Sequence, residues 1–337
     1  MANISENLQT LNEAKLAIKT AIENKGQDLT NVPFTQYAEK IAAIESGTSS
    51  AYTISDMLRN RNGRSCTSLF QYCADLTTEQ LKEALDANPD FAPTKTDDMF
   101  NGCTSLVEVP KFDTSKVTAI ARMFASCPNL KKVPDVIEVG NSSTASPTSM
   151  FMECHALEEA PYIDFSQHKS TVFQMFQNCR SLKTIPCYDF SKSTALYFFL
   201  LGCTSLEVVP AIDLRSVTGR VDSIVYGCSA LKEIWFRNIG VSIQLGANNW
   251  GTKLTVESLL HIIKELRNMN AARTLTIATV NIDKIKDIYV RLIDITDEMR
   301  AEDDLIDVKL PFEVCESTDE GAMLITDYVA LKNWSLA

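Results

Sequence analysis

The chain has 337 residues, 45% of them hydrophobic and 22% charged, with only 12 Gly and 11 Pro. That is enough apolar residue for a sizeable core, and it excludes wholesale disorder, collagen-like chains and low-complexity chains. The 43 acids against 32 bases leave a formal charge of −11, the wrong sign for a general nucleic-acid binder, which neutralises phosphates with clustered Lys and Arg.

From the N-terminus, Ile4, Leu8, Leu11, Ile18 and Ile22 recur at helical spacing, with Lys15 interrupting the seam and Gly26 placed as a C-cap. A second helix is expected from Pro33, burying Phe34, Tyr37, Ile41 and Ile44 before Gly47-Thr48-Ser49-Ser50. Residues 1–50 thus read as a helical hairpin, packed on the rest of its own chain or used for docking and oligomerisation. The narrow stripe of Ile4, Leu8, Leu11, Ile18 and Ile22 suits a partner helix and favours docking. Glu6, Glu13 and Glu23 break any apolar run, so the segment does not read as an export signal. No window approaches 18 consecutive apolar residues, and no membrane insertion is expected.

Residues 51–245 carry an internal repeat. Cys103, Cys127, Cys154, Cys179, Cys203 and Cys228 are separated by 24, 27, 25, 24 and 25 residues. Each unit approximates M-F-x-x-C-x-x-L-x-x-[VI]-P-x-[FI]-D-x-S, clearest from Met99 to Ser115, with a degenerate opening copy at residues 68–76. A unit this short cannot bury its own apolar face and must stack on copies of itself. The expectation is an α/β solenoid in which the leucines of the repeat form one buried column and the following Val or Ile another. The cysteines would act as small buried hydrophobes beside the Phe column. Metal or redox chemistry is the competing reading, but there is no C-x-x-C and the histidines number 3. No metal, no cofactor and a reducing compartment are expected.

In a parallel ladder the two residues between the Leu and the Val point outward. The first such column runs Val107, Lys131, Glu158, Lys183, Glu207, Lys232 and alternates in sign from Lys131 onward; the second runs Glu108, Lys132, Glu159, Thr184, Val208, Glu233. Opposite charges on neighbouring rows attract, so a self-neutralised solvated surface competes with a binding face built on Lys131, Glu158, Lys183, Glu207 and Lys232. The Asp column, Asp113, Asp164, Asp189 and Asp213, reads as turn caps rather than a calcium site. Between residues 135 and 150 the spacing stretches, and Gly140-Asn141-Ser142-Ser143 reads as a protruding loop. Asn141 and Ser142 are candidate contacts there, with a harmless insertion as the alternative.

Residues 246–337 are expected to cap the array as an α/β unit: a capped helix from Leu254 to Met269, a strand at residues 273–278, and a closing segment ending in Trp334-Ser335-Leu336. Between Asp294 and Asp307 lie seven acids and one base, Arg300, the pattern of a solvated helix face or of a dock for a basic partner.

The repeat resembles the BspA-like class of leucine-rich repeats over about residues 65–240. Leu11-Asn12-Glu13-Ala14-Lys15, Ala17-Ile18-Lys19, Lys25-Gly26 and Tyr37-Ala38-Glu39-Lys40-Ile41 are similar to the N-terminal module of tailed-bacteriophage tail and fibre proteins. Leu254 to Leu259, Thr274 to Ile277 and Trp334 to Leu336 look like the C-terminal caps of the same proteins, interrupted by an insertion at about residues 283–320. This resemblance implies a non-enzymatic virion structural protein of the tail or an appendage, made in the host bacterial cytoplasm. Its partners would be other virion proteins, further copies of itself in a homo-oligomer or multicopy assembly, and a host surface protein or glycan. A bacterial cell-surface adhesin of the same repeat class is the alternative. No G-x-S-x-G, H-E-x-x-H, P-loop or G-x-G-x-x-G is present, and no catalysis is expected.

Overall fold

A computed structural model describes residues 18–23, 53–140, 145–167, 169, 171–219, 221, 223–245, 253–277, 279–306 and 309–336. The chain divides into two compact units, residues 1–62 with 79–91, and residues 63–78 with 92–337.

In the first unit, α1 (18–23) leaves Ile22 4% exposed and Ile18 40% exposed. The remainder of the expected helical hairpin lies outside the described residues. Helix α2 (Ile54–Arg61) begins in a capping box, with the Thr53 side chain accepting from the Asp56 N–H and the Asp56 carboxylate accepting from the Thr53 N–H. Helix α3 (Thr78–Asp86) buries Leu81, Ala84 and Leu85. The Asn88 amide ties this unit together, donating to the Ser55 carbonyl, the Ser55 hydroxyl and the Ala84 carbonyl at 3.1, 2.8 and 2.8 Å.

The second unit corrects the expected α/β solenoid. Among the described residues between 92 and 245 there is no helix. Up to Arg237 the strands of the repeats form two separate parallel pairs, β1 (Val172–Phe173) with β2 (Leu196–Tyr197) and β3 (Val208–Asp213) with β4 (Glu233–Arg237), beside isolated bridges such as Glu108↔Lys132 and Glu159↔Thr184. Among the described residues no continuous sheet runs through the repeats. One reason is the proline that closes each L-x-x-[VI] element, because it cannot donate to a ladder. Where the final unit has Trp235 in that place, β3 and β4 make the longest pairing of the repeats, broken only by a shift between Val209 and Ile212.

The other reason lies in the M-F turn. Residues five before and one before the cysteine have positive φ in every unit. The first set is Ser68, Asp98, Arg122, Ser149, Gln174, Phe198 and Ser223, at φ 51–56°. The second is Tyr72, Gly102, Ser126, Glu153, Asn178, Gly202 and Gly227, at φ 55–78°. Left-handed residues at fixed offsets cannot belong to an α-helix or a strand. They produce a tight turn that aims its Phe and Cys inward, and units are joined turn to turn. Phe70, Phe100, Phe124, Phe151, Phe176 and Leu200 each donate their N–H to the carbonyl of the next unit at 2.8–3.0 Å. The rings of Phe70, Phe100, Phe124, Phe151 and Phe176 stack with centroids 5.2–5.7 Å apart. Leu106, Leu130, Leu157, Leu182, Leu206 and Leu231 are each 0% exposed. At roughly 1.5–3 kcal/mol for each large apolar side chain taken from water, this burial outweighs the strain of the turns.

Beyond the repeats, β5 (Ile243–Gln244), β6 (Arg273–Thr276) and β10 (Trp334–Leu336) form a parallel sheet in the order β10-β6-β5. Helix α4 (Val256–Lys264) is capped by Thr255 and packs on β4, where the Ser258 hydroxyl accepts from the Ile234 N–H at 2.8 Å. The buried Lys332 side-chain nitrogen donates to the Leu266 carbonyl just past the α4 C-terminus at 2.7 Å. The inserted region contributes α5 (Thr279–Ile285), β7 (Tyr289–Leu292), α6 (Asp297–Glu302) and β8 (Phe312–Cys315); with β9 (Met323–Leu324) the strands form an antiparallel sheet in the order β8-β7-β9, followed by α7 (Ile325–Leu331). Part of its acidic run is engaged. The 3%-exposed Lys309 ammonium sits 2.7 Å from Glu265 and also pairs with Asp303, while Arg215 pairs with Asp304 at 3.0 Å. Desolvation raises the Asp303 pKa, but hydrogen bonds from Lys309 and the Leu305 N–H outweigh it and hold the carboxyl below its ordinary value.

Two substitutions check this architecture in urea unfolding. At Gly202, where φ is +74° and an added Cβ would meet Asn178 Oδ1 at 2.3 Å, Gly202→Ala is expected to cost about 1–2 kcal/mol or more. Lys309→Ala leaves two largely buried carboxylates without their cation and is expected to cost about 3–5 kcal/mol.

Candidate binding face

The buried rows hold no accessible chemistry. The thiol of each repeat cysteine donates to a carbonyl of the preceding unit: Cys103 to Phe70, Cys127 to Phe100, Cys154 to Phe124, Cys179 to Phe151, Cys203 to Phe176 and Cys228 to Leu200, at 2.9–3.1 Å. Burial pushes the Cys127 thiol up to about 12 and the Cys103, Cys154, Cys179 and Cys203 thiols up as well. His155 does not face Cys154. Its ring lies 2.7 Å from the Glu153 carboxylate, which also accepts from the Asn178 amide at 2.6 Å. Among the described residues no cluster of three or more His, Cys, Asp or Glu could hold a metal ion, and no helix is long and apolar enough to cross a membrane.

The Asp column has a structural role. Asp113, Asp164, Asp189 and Asp213 each accept the backbone N–H two residues on, at Ser115, Ser166, Ser191 and Arg215, with distances of 2.8–2.9 Å. These are Asx turns that end four of the units.

The outward columns are what remains for contact. Lys131, Glu158, Lys183, Glu207 and Lys232 are all exposed. Each sits just after the buried Leu of its unit, and backbone bonds from the Lys183 N–H to the Glu158 carbonyl and from the Lys232 N–H to the Glu207 carbonyl, at 2.9 and 2.8 Å, set the column. The side chains pair within it, Lys183 with Glu158 at 2.6 Å and Lys232 with Glu207 at 2.8 Å. The hydrogen bond from Lys183 holds the Glu158 carboxyl below its ordinary pKa and raises that of Lys183. A shallow depression of about 330 Å³ opens between neighbouring units, edged by Lys131, Lys132, Asp135, Glu158 and Glu159. Of the other candidates, Ile18 is exposed and Ile22 buried in α1; Ile4, Leu8, Leu11, Asn141 and Ser142 lie outside the described residues.

Sequence reasoning passed over a third outward column. The residue that follows the unit's proline is exposed and apolar in successive units: Tyr162, Cys187 and Ala211, joined by Val136, which bridges to Tyr162. Val136 is 49% and Tyr162 44% exposed, and in the first two outward columns Val107 is 43% and Val208 40% exposed. The signal was the variable position in P-x-[FI]-D, which nothing in the pattern fixes.

A family model described as "Mycoplasma protein of unknown function, DUF285" matches residues 65–207, under half of the chain. No curated protein and no solved structure matches it.

Thiol labelling checks the burial on this face and behind it. In the native protein Cys187, the exposed cysteine, should react first with a small aromatic disulfide reagent. Cys103, Cys127 and Cys154 should react only at the rate of global unfolding between pH 7 and 9, and fast native labelling of any of them would contradict the buried rows.

Proposed function

We propose that this chain is a non-enzymatic structural protein of a bacteriophage virion, of the tail or an appendage. It docks to other virion proteins through its N-terminal helices and offers its repeat surface for assembly or host attachment. The observation that carries the non-enzymatic part is the direction of the chemistry-bearing side chains. The repeat thiols point into the core and donate to backbone carbonyls, the Asp column caps turns, and the outward columns hold paired charges and apolar side chains. Such a surface suits contact between macromolecules rather than turnover of a small molecule. The virion assignment rests on the resemblance of residues 11–41 and of the C-terminal segments to phage tail and fibre modules.

A second reading, a bacterial cell-surface adhesin, is favoured by the match of residues 65–207 to a family described as Mycoplasma proteins.

Mass spectrometry of purified particles separates the two. The protein is expected in the particle, and the full-length Leu8→Asp/Leu11→Asp variant, with its docking stripe charged, is expected to be depleted from it at least about tenfold. Absence of the wild-type chain from particles would sink the virion reading, and normal incorporation of the variant would sink the docking role.

A further inference from the structure

We propose that the outward columns of the repeats form an interface with a second copy of this chain, packed face to face with the order of its units reversed. Among the described residues, four of the large apolar side chains that remain exposed, Val107, Val136, Tyr162 and Val208, occupy outward positions of the repeats. A charged column of alternating sign runs beside them. An apolar surface threaded by alternating charge is costly to leave in water and selects its partner by register.

The pattern is complementary to itself in one arrangement. Let a two-fold axis lie in the interface along the strand direction, between the unit of Glu158 and Tyr162 and the unit of Lys183 and Cys187. The rotation keeps each column opposite itself and inverts the order of units, as an isologous contact requires. Glu158 then faces Lys183 of the second copy, and Lys131 faces its Glu207. In the third column Tyr162 meets Cys187 and Val136 meets Ala211, apolar against apolar. Moving the axis by half a unit, onto Lys183, sets Glu158 on Glu207 and Lys131 on Lys232, like against like. The charge column therefore rejects an axis placed on a unit and admits one placed between two units, and of these the axis chosen brings all six units into contact. The chosen register also sets Val208 on Lys132, and at the rim Val107 on Lys232 and Glu108 on Glu233, where water screens the like charges.

The affinity follows from the size. Five unit spacings of about 4.8 Å by four residues of about 3.3 Å make a backbone footprint of roughly 24 by 13 Å. Even with its side chains this falls short of the roughly 800 Å² per partner of a standard stable complex. The contact is a weak one, of the kind that counts when many copies are held side by side.

The test uses the full-length chain with Cys73, Cys187 and Cys315 changed to Ser, which removes the cysteines that are not buried. Val136→Cys and Ala211→Cys are introduced together and treated, at about 100 μM protein, with a bifunctional thiol reagent spanning about 8 Å, a length suited to faces about 10 Å apart. Covalent dimers are expected at least about tenfold above those of either single variant, because each new thiol faces the other position and not itself. Dimers at the level of the single variants, or none, would overturn the proposal. The charges are tested in the same background. A chain with Glu158→Lys/Glu207→Lys and a chain with Lys131→Glu/Lys183→Glu should each lose self-cross-linking. Mixed together they should cross-link to each other, since every facing pair is again opposite in sign. Failure of the mixture to recover, with circular dichroism unchanged from the parent, would also overturn it.

Discussion

The structure of the repeats depends on how the chain turns between units. Two left-handed residues, five before and one before the cysteine, bend each M-F segment so that its Phe and Cys point inward while its N–H groups reach the neighbouring unit. Glycine fills this conformation freely only at Gly102, Gly202 and Gly227; elsewhere Asp98, Arg122, Glu153 and others occupy it at a steric cost. The cost is met by the rows those turns create: stacked Phe rings, fully buried leucines, and thiols whose weak donors find carbonyls in the unit before. No single unit satisfies these groups, so each holds its shape only because its neighbours do.

This accounts for what could and could not be read from the sequence. The period, the Leu column and the buried thiols were legible because apolar burial repeats at fixed spacing, and Leu157 or Cys154 has no alternative place to go. Ala160 is the exception in the second inward column, half-exposed where Val109 and Ile234 are buried. The α/β architecture was misread for a physical reason. Hydrophobic periodicity reports which residues face inward but not the backbone that puts them there, and the left-handed positions carry Asp, Arg, Ser, Gln and Phe, which have no common signature. The prolines after Val109, Val133, Ala160 and Ile185 were visible, and they were the clue that ladders would stop short, while Pro210 lies inside β3 at its shift in register. The face was half legible. Its charges alternate plainly, while Val136, Tyr162 and Cys187 emerge as neighbours only once the register is known. The anchoring of the insertion by Lys309 joins Glu265 to Asp303 across elements that no local pattern connects.

The functional reading draws on the separation of roles across the unit. Groups with reactive potential are spent on the interior or on turns: thiols on carbonyls, carboxylates of the Asp column on the N–H groups of their own Asx turns. The remaining outward positions are free of structural duty, and those are where charge and exposed apolar surface accumulate. The end regions are built on other physics, with a capped α2 in the first unit and, after the repeats, parallel strands closed by β10.

The alternating column has a further implication for how such a chain can grow or shrink. Because the turn N–H groups from Phe70 to Leu200 each donate to the next unit in the same way, whole units could be duplicated or lost without breaking this row of hydrogen bonds. The side-chain pairs are less permissive. Removing the Lys183 unit alone would bring Glu158 against Glu207, whereas removing it together with the Glu207 unit would bring Glu158 against Lys232. Charge thus imposes a parity on the array, favouring changes of length by twos over changes by one.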